Sequence, residues 1–549
     1  MTDVPLPYEP ILRHVGAVAD RLGLEAYAVG GAVRDALLGR ATTDLDFVSI
    51  GSGSGIALAK AVAKDTGVRT AYIYENFGTA AVRLPAKQAE GEPLVLEFVG
   101  ARTESYRTDS RKPIVEEGTL DDDQRRRDFT VNALAVALNA DRFGELIDPF
   151  GGLADLAAGR LRTPLDPAET FEDDPLRMLR AARFAAQLGF SIDEAALDAM
   201  RVQAERIGIV SQERITEELQ KIMASPRPSE GWRILFETGL LLHLVPELAD
   251  LAGVDNVGGH QHKDNFYHTL GVLTNLVDAQ RAAGLADDEG RAEDRMLWLR
   301  WAALLHDIAK PDTKRFLPGT GWTFHGHEDR GARRHVPSLF RRLKLPLGEP
   351  LTYVRELVRL HHRPVALVDD DVTDSAVRRL LFEAGDRVDD LMLLVRADIT
   401  SKNERRKRRY LAGFDRVEAK MREVEEKDHL RAFQPPVDGH EIMEALGVGE
   451  GIAVGILKTW IREAILDGEL PNEHDPAFAY MLAHKDEALR RAALFDTMMQ
   501  RLQGPERAAT GAIKETLFTG DIPADHDAAV ALLMDVKNDA LAARESANV

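Results

Sequence analysis

The stretch Val29–Gly51, VGGAVRDALLGRATTDLDFVSIG, decides the fold at the front of the chain. Its end, LDFVSI, predicts a strand, and alternate residues of a strand share a face, so Asp44 and Asp46 project together. Two such carboxylates repel each other unless a divalent cation that prefers oxygen ligands lies between them. Upstream, the glycine pair Gly30–Gly31 and the start of a helix near Ala32 favour close approach of a phosphate. An isolated Asp-x-Asp is more often a solvated strand edge, but this spacing favours a site for a metal-bound triphosphate.

The composition limits the class of protein. A chain of 549 residues exceeds a single hydrophobic core, so three or four domains are expected. The absence of cysteine excludes disulfides and zinc–thiolate sites. The N-terminus, MTDVPLPYEP, has no signal-peptide pattern, and no apolar run approaches the roughly 18 residues that span a membrane, which predicts a cytoplasmic protein without a membrane partner. A net charge of −20 argues against a surface coated by nucleic acid but allows local basic tracks.

Strand signals are concentrated in the first 150 residues. The runs that predict strands are AYAVGG, LDFVSI, TAAVRL, LVLEFVGA and GELIDPF. Between them, GIALAKAVAKDTG predicts a helix that ends at a glycine. From about residue 151 onward, strand signals nearly vanish and apolar residues recur at helical spacing. The expected fold class is therefore α+β, with a small domain built on a mixed sheet and helical domains behind it.

Five ordered motifs resemble those of class II tRNA nucleotidyltransferases and bacterial poly(A) polymerases, members of the polymerase-β-like superfamily. They are GGAVRDALLGRATTDLDF (30–47), RRRDFTVNAL (125–134), DPFGGLADLAAGRLR (148–162), DDPLRMLRAARF (173–184) and SQERITEEL (211–219). Further along, YHTLGVL, LLHDIAK and FHGHE resemble the HD domain fused to some members. The resemblance implies four parts: a nucleotidyltransferase palm (1–150), a helical neck and body for nucleotide selection and RNA binding (151–255), an HD-type metal-binding domain (256–430), and a helical C-terminal region (431–549), a further candidate for tRNA binding with a frayed end.

The resemblance assigns roles in the palm. Asp44 and Asp46 would hold Mg²⁺, which activates the RNA 3′-hydroxyl and neutralises the departing pyrophosphate. Glu97 is a candidate third carboxylate, although an alternating strand often carries one outward Glu. Arg127 and Asp128 complete the set of catalytic residues that the resemblance assigns. They are expected just ahead of an apolar helix. A charged N-terminal cap is the alternative, but three successive arginines would oppose the helix dipole there. The residues assigned to nucleotide binding are Gly30, Gly31, Arg34, Asp35, Arg126, Asn132, Asp174, Arg177, Arg180 and Arg183.

The fourth motif predicts how bases are selected without a template. Asp174 and Arg177, at i and i+3, are expected to share a helix face and to present an acceptor beside a donor fork. Cytosine and adenine match this pair, because each offers a donating amine (N4 or N6) beside an accepting ring nitrogen (N3 or N1). Uracil and guanine place a carbonyl oxygen where the aspartate needs a donor, which leaves polar groups unpaired. An ordinary i, i+3 ion pair is the alternative. The fifth motif, with Glu213, Arg214 and Glu218, is interpreted as a brace for the fourth-motif helix.

Histidine and aspartate residues form a second constellation. The resemblance to HD-type phosphohydrolases implies a divalent metal of unknown identity. Neutral imidazole and carboxylate groups are suitable ligands for such an ion. The assigned ligands are His268, His306, Asp307 and Asp398, with His327 and His361 as further candidates. A retained fold without hydrolytic activity is the alternative.

The expected activity is addition of C, C and A to tRNA from CTP and ATP, with no DNA partner and with the oligomeric state open. A poly(A) polymerase or an A-only enzyme is the first alternative; the poly(A) enzymes carry an Arg-rich stretch that YIYENFGTAAVRL lacks. An HD-type phosphohydrolase with an RNA-binding front domain is the second. Residues 101–124 are interpreted as a flexible loop needed for A addition. The basic run SKNERRKRRY (401–410) is either a solvated helix face or a contact with RNA backbone.

Overall fold

The computed structural model describes residues 8–546 except 43, 69–70, 75–77, 86–92, 108–109, 258–259, 287–293, 369–372, 402 and 429–435. The chain divides into two compact units, unit 1 (Met1–Val358) and unit 2 (Arg359–Val549). This division is coarser than the four parts expected from the sequence, whose boundaries stay a prediction. Within the described residues, no helix is long and apolar enough to cross a membrane.

Unit 1 begins with a seven-stranded mixed sheet in the order β3-β4-β5-β2-β1-β8-β9. The strands of this region are β1 (Ala26–Val29), β2 (Asp44–Ser49), β3 (Ala71–Tyr74), β4 (Thr79–Leu84), β5 (Leu94–Gly100), β6 (Arg102–Arg107), β7 (Ser110–Glu117), β8 (Ala135–Ala137) and β9 (Leu146–Ile147). Of these, β6 and β7 pair with each other in a separate two-stranded sheet. The helices of this region are α1 (Glu9–Leu22), α2 (Gly31–Leu37), α3 (Ser54–Asp65) and α4 (Leu120–Arg125). All five strands expected from sequence are present.

One face of the sheet carries the core. Leu45, Phe47, Leu96 and Phe98 are buried there with residues of α1 and α3. The rings of Phe47 and Phe98 stack with centroids 4.9 Å apart. Because side chains alternate along each strand, Asp44, Asp46 and Glu97 point to the opposite face. The apolar positions of β2 and β5 therefore determine where the carboxylates lie.

Helices follow the sheet in unit 1. They are α5 (Gly152–Ala158), α6 (Pro167–Asp173), α7 (Leu176–Leu188), α8 (Glu194–Gln203), α9 (Gln212–Ala224), α10 (Pro228–Glu237), α11 (Leu240–Leu244), α12 (Pro246–Ala249), α13 (Asn265–Ala282), α14 (Asp294–Leu305), α15 (Lys310–Thr313), α16 (His327–Arg330), α17 (Val336–Arg342) and α18 (Glu349–Leu360). The apolar side of α7 packs on α9 and α10. Fully buried Arg300 of α14 donates to Gln280 of α13 and to the carbonyls of Met223 and Ser225, which ties α13 and α14 to the end of α9.

Unit 2 is helical throughout its described residues. Its helices are α19 (Arg363–Ala366), α20 (Asp374–Ala384), α21 (Val388–Ala397), α22 (Glu404–Asp428), α23 (Gly439–Leu446), α24 (Ile452–Asp467), α25 (His474–Arg501), α26 (Thr510–Thr519) and α27 (His526–Ser546). The basic run expected on a helix opens α22, and Arg405, Arg406, Arg408 and Arg409 are exposed. RNA contact by this run stays a prediction.

Two local expectations are wrong. Residues 101–124 were expected to be a flexible loop, but their described residues form the antiparallel strands β6 and β7 and most of α4. The segment after Asp128 was expected to be an apolar helix; it is a short 3₁₀ turn, Thr130–Asn132, that leads into β8. The reason is sheet pairing: β8 lies beside β1, so the buried apolar residues here complete a sheet rather than a helix face.

Candidate active site

Three carboxylates lie side by side on the open face of the sheet. β5 runs parallel to β2, with Glu97 directly opposite Asp46. Burial raises the pKa of Asp46 to about 6; Arg127 opposes this shift, while Glu97 and Asp44 add to it. A divalent cation that prefers oxygen ligands would supply the positive charge that Asp46 lacks beside two further carboxylates. Carboxylate oxygens are the ligands that Mg²⁺ prefers, so the donor chemistry fits. Among the described residues, however, these three carboxylates do not form a group whose oxygens all lie within 4.8 Å of one another. The role of Glu97 as a third ligand therefore stays a prediction.

Gly30 marks the closest approach of backbone to this site. It precedes α2 with φ +76° and ψ −141°. A Cβ atom there would lie 3.0 Å from Arg127 Nη1 and 3.1 Å from Asp46 Oδ2. Both the conformation and the space favour glycine. At Gly31 a Cβ would make an ordinary 3.5 Å contact with Arg34 Nη2, so the steric requirement falls on the first glycine.

Asp123 holds the two arginines of the second motif. Its buried carboxylate accepts from Arg126 Nη2 at 2.7 Å and from Arg127 Nε at 2.9 Å. Burial raises the pKa of Asp123, but Arg127 and Arg126 outweigh it and hold that pKa below its ordinary value. Arg127 also donates to the Asn132 carbonyl at 3.2 Å. Asp123 was not expected from the sequence, although its spacing of three and four residues before the arginines was a usable signal.

A chain of buried polar contacts joins α2 to α7. Arg34 donates to Asp35 at 2.9 and 2.8 Å and to Asn132 Oδ1 at 2.7 Å. Asn132 Nδ2 donates to Asp128 Oδ1 at 2.9 Å, and Arg180 Nε donates to Asp128 Oδ2 at 2.7 Å. Burial raises the pKa of Asp128, but Arg180 and Asn132 lower it to about 2. The chain brings five of the predicted residues together and keeps Asp128 ionised.

The fifth motif braces α7, as expected. Arg183 Nε lies 3.0 Å from Glu218 Oε2, and Arg180 lies 3.9 Å from Glu218 Oε1. Burial lowers the pKa of Arg183 to about 10. The guanidinium carbons of Arg34, Arg180 and Arg183 lie 5.1, 5.4 and 4.2 Å from the centre of the Phe184 ring. Phe184, which was assigned no role from the sequence, is thus an aromatic support for three predicted nucleotide-binding arginines.

Asp174 and Arg177 do not share a helix face, because Asp174 precedes α7 in extended conformation (φ −141°, ψ 99°). Pro175 disfavours helical backbone in the residue before it. Asp174 Oδ1 accepts from Leu176 N at 3.2 Å, and Oδ2 accepts from Arg214 at 2.7 Å. The pair stays adjacent, since the Arg177 backbone N–H donates to the Asp174 carbonyl at 3.0 Å.

The Arg177 side chain points toward the second motif. Its guanidinium donates to the carbonyls of Thr170 and Arg126. The second of these contacts places the base of α7 beside the arginines that Asp123 holds. Carbonyl oxygens accept from Arg177 here in the same way that a base nitrogen would.

A second cluster lies on other elements of unit 1. Nε2 atoms of His306, His327 and His268 lie 3.2, 3.1 and 3.6 Å from the buried carboxylate of Asp307. Lys310 Nζ donates to the same carboxylate at 2.6 Å. Burial raises the pKa of Asp307, but His306 and Lys310 outweigh it and hold that pKa well below its ordinary value.

The orientation of two of these rings fits a metal site. Nδ1 of His306 contacts the Ala303 carbonyl at 2.8 Å, and Nδ1 of His327 contacts the Phe324 carbonyl at 2.8 Å. A carbonyl only accepts, so Nδ1 of each ring carries a proton and Nε2, the nitrogen that would bind a metal, faces Asp307. His327, a secondary candidate from the sequence, belongs to this cluster. Asp398 and His361 lie in unit 2, and their role as ligands stays a prediction.

Three family descriptions match parts of the chain. "Poly A polymerase head domain" matches residues 26–162. "Probable RNA and SrmB- binding site of polymerase A" matches residues 189–251. "HD domain" matches residues 265–398. The first match contains the three carboxylates of the sheet and the third contains Asp307 with its histidines, whereas α7 lies between the first and second matches.

Relatives align over most of the chain. An A-adding tRNA nucleotidyltransferase of Deinococcus radiodurans is 32% identical, covering 81% of this chain and 92% of that protein. A CC-adding tRNA nucleotidyltransferase of Thermus thermophilus is also 32% identical, covering 83% and 93%. A multifunctional CCA protein of Neisseria gonorrhoeae is 37% identical over a shorter region, covering 59% and 70%.

Solved structures share the fold. A tRNA-processing enzyme in an apo form is 26% identical with a TM-score of 0.51, covering 77% of this chain and 98% of that one. An apo form of a CCA-adding enzyme is 22% identical with a TM-score of 0.57, covering 86% and 95%. The second likeness concerns the fold alone.

Proposed function

The chain belongs to the class II tRNA nucleotidyltransferase and poly(A) polymerase family, in a form with a fused HD domain, and we propose that it adds C, C and A to the 3′ end of tRNA. As a member of this family it is a nucleotidyltransferase. The observation that carries the proposal is the row of Asp44, Asp46 and Glu97, with Arg127 within reach of Asp46. The proposed substrates are tRNA, CTP and ATP, and the proposed location is the cytoplasm.

The three carboxylates would hold Mg²⁺. When bound, Mg²⁺ supplies charge neutralisation at the triphosphate and favours the alkoxide form of the RNA 3′-hydroxyl. In the reaction, the 3′-oxygen forms a bond to the α-phosphorus, the bond to the β-phosphate oxygen breaks, and pyrophosphate leaves. Arg126 and Arg127, held by Asp123, are proposed to contact the triphosphate. Gly30 gives the phosphates access because it has no side chain.

In this proposal, an incoming base competes with the contacts that Asp174 and Arg177 already make inside the protein, and this competition selects the base. Arg177 donates to two carbonyls, and Asp174 accepts from Arg214, so both groups are satisfied before a nucleotide binds. Cytosine and adenine offer an acceptor and a donor in the arrangement that replaces these contacts. Uracil and guanine offer a carbonyl where Asp174 needs a donor. An unmatched base would leave Asp174 or Arg177 without a partner, so these residues keep their contacts inside the protein instead.

Partial addition is the second candidate. The A-adding and CC-adding relatives both align over more than nine-tenths of their own length, 92% and 93%. Either activity would use the same carboxylates and the same base-reading pair. The segment 101–124 was expected to be a loop that favours A addition; since its described residues include two paired strands, it does not separate these alternatives.

The test uses three tRNA substrates, ending before the first C, before the second C and before A. Each is incubated with one labelled nucleotide at a time. CCA addition predicts labelled C on the first two tRNAs, labelled A on the third, and no U or G on any. Label from CTP alone or from ATP alone supports partial addition, and a long run of A supports poly(A) synthesis. No incorporation from any nucleotide contradicts the proposal.

We also propose that the cluster around Asp307 binds a divalent metal and hydrolyses phosphoesters. The supporting observation is that His306 and His327 both bind a carbonyl through Nδ1 and present Nε2 to the same carboxylate. Metal analysis of the purified protein tests the first part. Assays with a phosphomonoester and a 2′,3′-cyclic phosphate test the second.

A further inference from the structure

An aromatic strip lies in the same row of the sheet as the carboxylates. Tyr72 of β3 is opposite Ala81 of β4, Ala81 is opposite Glu97 of β5, and Glu97 is opposite Asp46 of β2. Residues directly opposite each other in neighbouring strands share a face. Tyr72 therefore lies on the carboxylate face, three strand spacings or about 14 Å from Asp46.

The same face continues one row on either side. Tyr74 follows Tyr72 by two residues and so shares its face. Arg83 of β4 is opposite Val95 of β5, which is opposite Asp44 of β2. Tyr72, Tyr74 and Arg83 thus border the carboxylate site on the side of β3 and β4.

These side chains are exposed. Tyr72 is 56% exposed and Tyr74 is 55% exposed, and Arg83 is exposed as well. The buried face of the same strands holds the apolar core around Phe98. Two exposed aromatic rings beside an open row of carboxylates contribute little to that core, which points to a ligand that stacks.

We propose that Tyr72 and Tyr74 stack on unpaired bases at the 3′ end of the RNA, with Arg83 contacting a backbone phosphate. The proposal rests on the proposed function, because it gives the RNA end a path across the sheet to Asp46. Stacking tolerates any base, since every base has a π face. Such a contact suits an end whose last base changes after each addition. Cα atoms two residues apart on a strand are separated by about 6.7 Å, which is twice the roughly 3.4 Å between stacked bases.

The kinetic test compares Tyr72→Ala/Tyr74→Ala with Tyr72→Phe/Tyr74→Phe on a tRNA that lacks its 3′-terminal A. Loss of stacking is expected to raise KM for tRNA by about tenfold or more. The Phe variant keeps both rings and is expected to keep the parent KM. KM for ATP is expected to be unchanged in both variants, because the strip contacts RNA. An unchanged KM for tRNA in the Ala variant overturns the proposal.

A binding measurement keeps this proposal separate from the proposed function. A tRNA with 2-aminopurine at its last unpaired position is titrated with each protein without nucleotide. Fluorescence quenching by the parent and the Phe variant, but not by the Ala variant, supports stacking even if no nucleotide is added. Because β3 is an edge strand, pairing with a second copy is the competing role. Equal quenching in all three proteins, or a change of molar mass by light scattering in the Ala variant, contradicts the stacking role.

Discussion

At the candidate active site, the position of Gly30 requires a residue without a side chain. Its φ is +76°, and an added Cβ would lie about as close to Arg127 and Asp46 as any real contact allows. We predict that Gly30→Ala lowers kcat/KM for nucleotide addition by about tenfold or more, because Arg127 and Asp46 must shift. Steady-state kinetics on a tRNA lacking its 3′ end measures this.

Gly39, just beyond the other end of α2, is the matched control. It also has positive φ, +68°, but a Cβ there would meet nothing within 4 Å. Gly39→Ala should therefore cost similar stability, about 1 kcal/mol, from backbone strain alone. Its kcat/KM should stay at the parent value. Equal kinetic losses in the two variants would show that strain, not the site, explains the effect.

Asp174 carries the prediction on base choice. Asp174→Ala removes the group that accepts from the exocyclic amine of C or A and disfavours the carbonyls of U and G. A good bidentate base contact is worth on the order of 1–3 kcal/mol, so the ratio of kcat/KM for CTP over UTP should fall by roughly tenfold to a hundredfold. Arg214→Ala is the control, since it removes the partner of Asp174 but keeps the carboxylate. An unchanged ratio with a lower overall rate would make Asp174 structural.

At the scale of elements, the ion pair between Asp128 and Arg180 ties the second motif to α7. The pKa of Asp128 is lowered to about 2, so its contribution to stability is complete above about pH 4 and is lost as the pH falls toward 2. Arg180→Met removes the main cause of that lowering. We predict that the variant is less stable by about 2 kcal/mol at neutral pH, and that the difference shrinks below about pH 4.

Urea denaturation followed by circular dichroism at several pH values measures the difference between parent and Arg180→Met. A free-energy difference that stays constant from pH 7 to pH 3 would assign the role of Arg180 to packing rather than charge. Arg201→Met is a suitable control, because the carboxylates that Arg201 contacts among the described residues, those of Glu194 and Asp198, are both exposed. Exposed pairs of this kind contribute little to stability.

The local sequence pattern predicted the strands that carry the site. The features that it did not predict depend mainly on contacts between residues far apart in the sequence. The alternation in LDFVSI placed Asp44 and Asp46 on one face, whereas Glu97 was suggested only by the family resemblance. The parallel register now places Glu97 opposite Asp46. The turn after Asp128 escaped prediction because the strand that follows it, β8, pairs with β1, which is far away in sequence. The conformation of Asp174 was predictable in principle from Pro175. The partnership of Asp128 with Arg180 joins residues 52 positions apart and has no local signature.

At the scale of the whole molecule, unit 1 contains two polar clusters on different elements. We predict that Asp307→Asn removes a bound divalent metal and any phosphoesterase activity while nucleotide addition stays at the parent rate. The physical reason is that three Nε2 atoms converge on this one carboxylate. Metal content is measured by mass spectrometry, with Asp312→Asn as control, since Asp312 contacts His335 and Arg330 instead. A parent protein without metal would reduce this cluster to a structural one.

The central claim is that the row of carboxylates on the sheet is the catalytic site, and Asp46→Asn tests this claim most directly. The measurement is the rate of nucleotide addition to tRNA by Asp46→Asn, with Asp307→Asn as the matched substitution in the other cluster. Loss of a charge that stabilises the transition state predicts a fall of about a hundredfold or more for Asp46→Asn, with tRNA binding retained and with Asp307→Asn unaffected. If Asp46→Asn adds nucleotides within about tenfold of the parent rate, below any loss expected for such a group, the row of carboxylates is not the catalytic site.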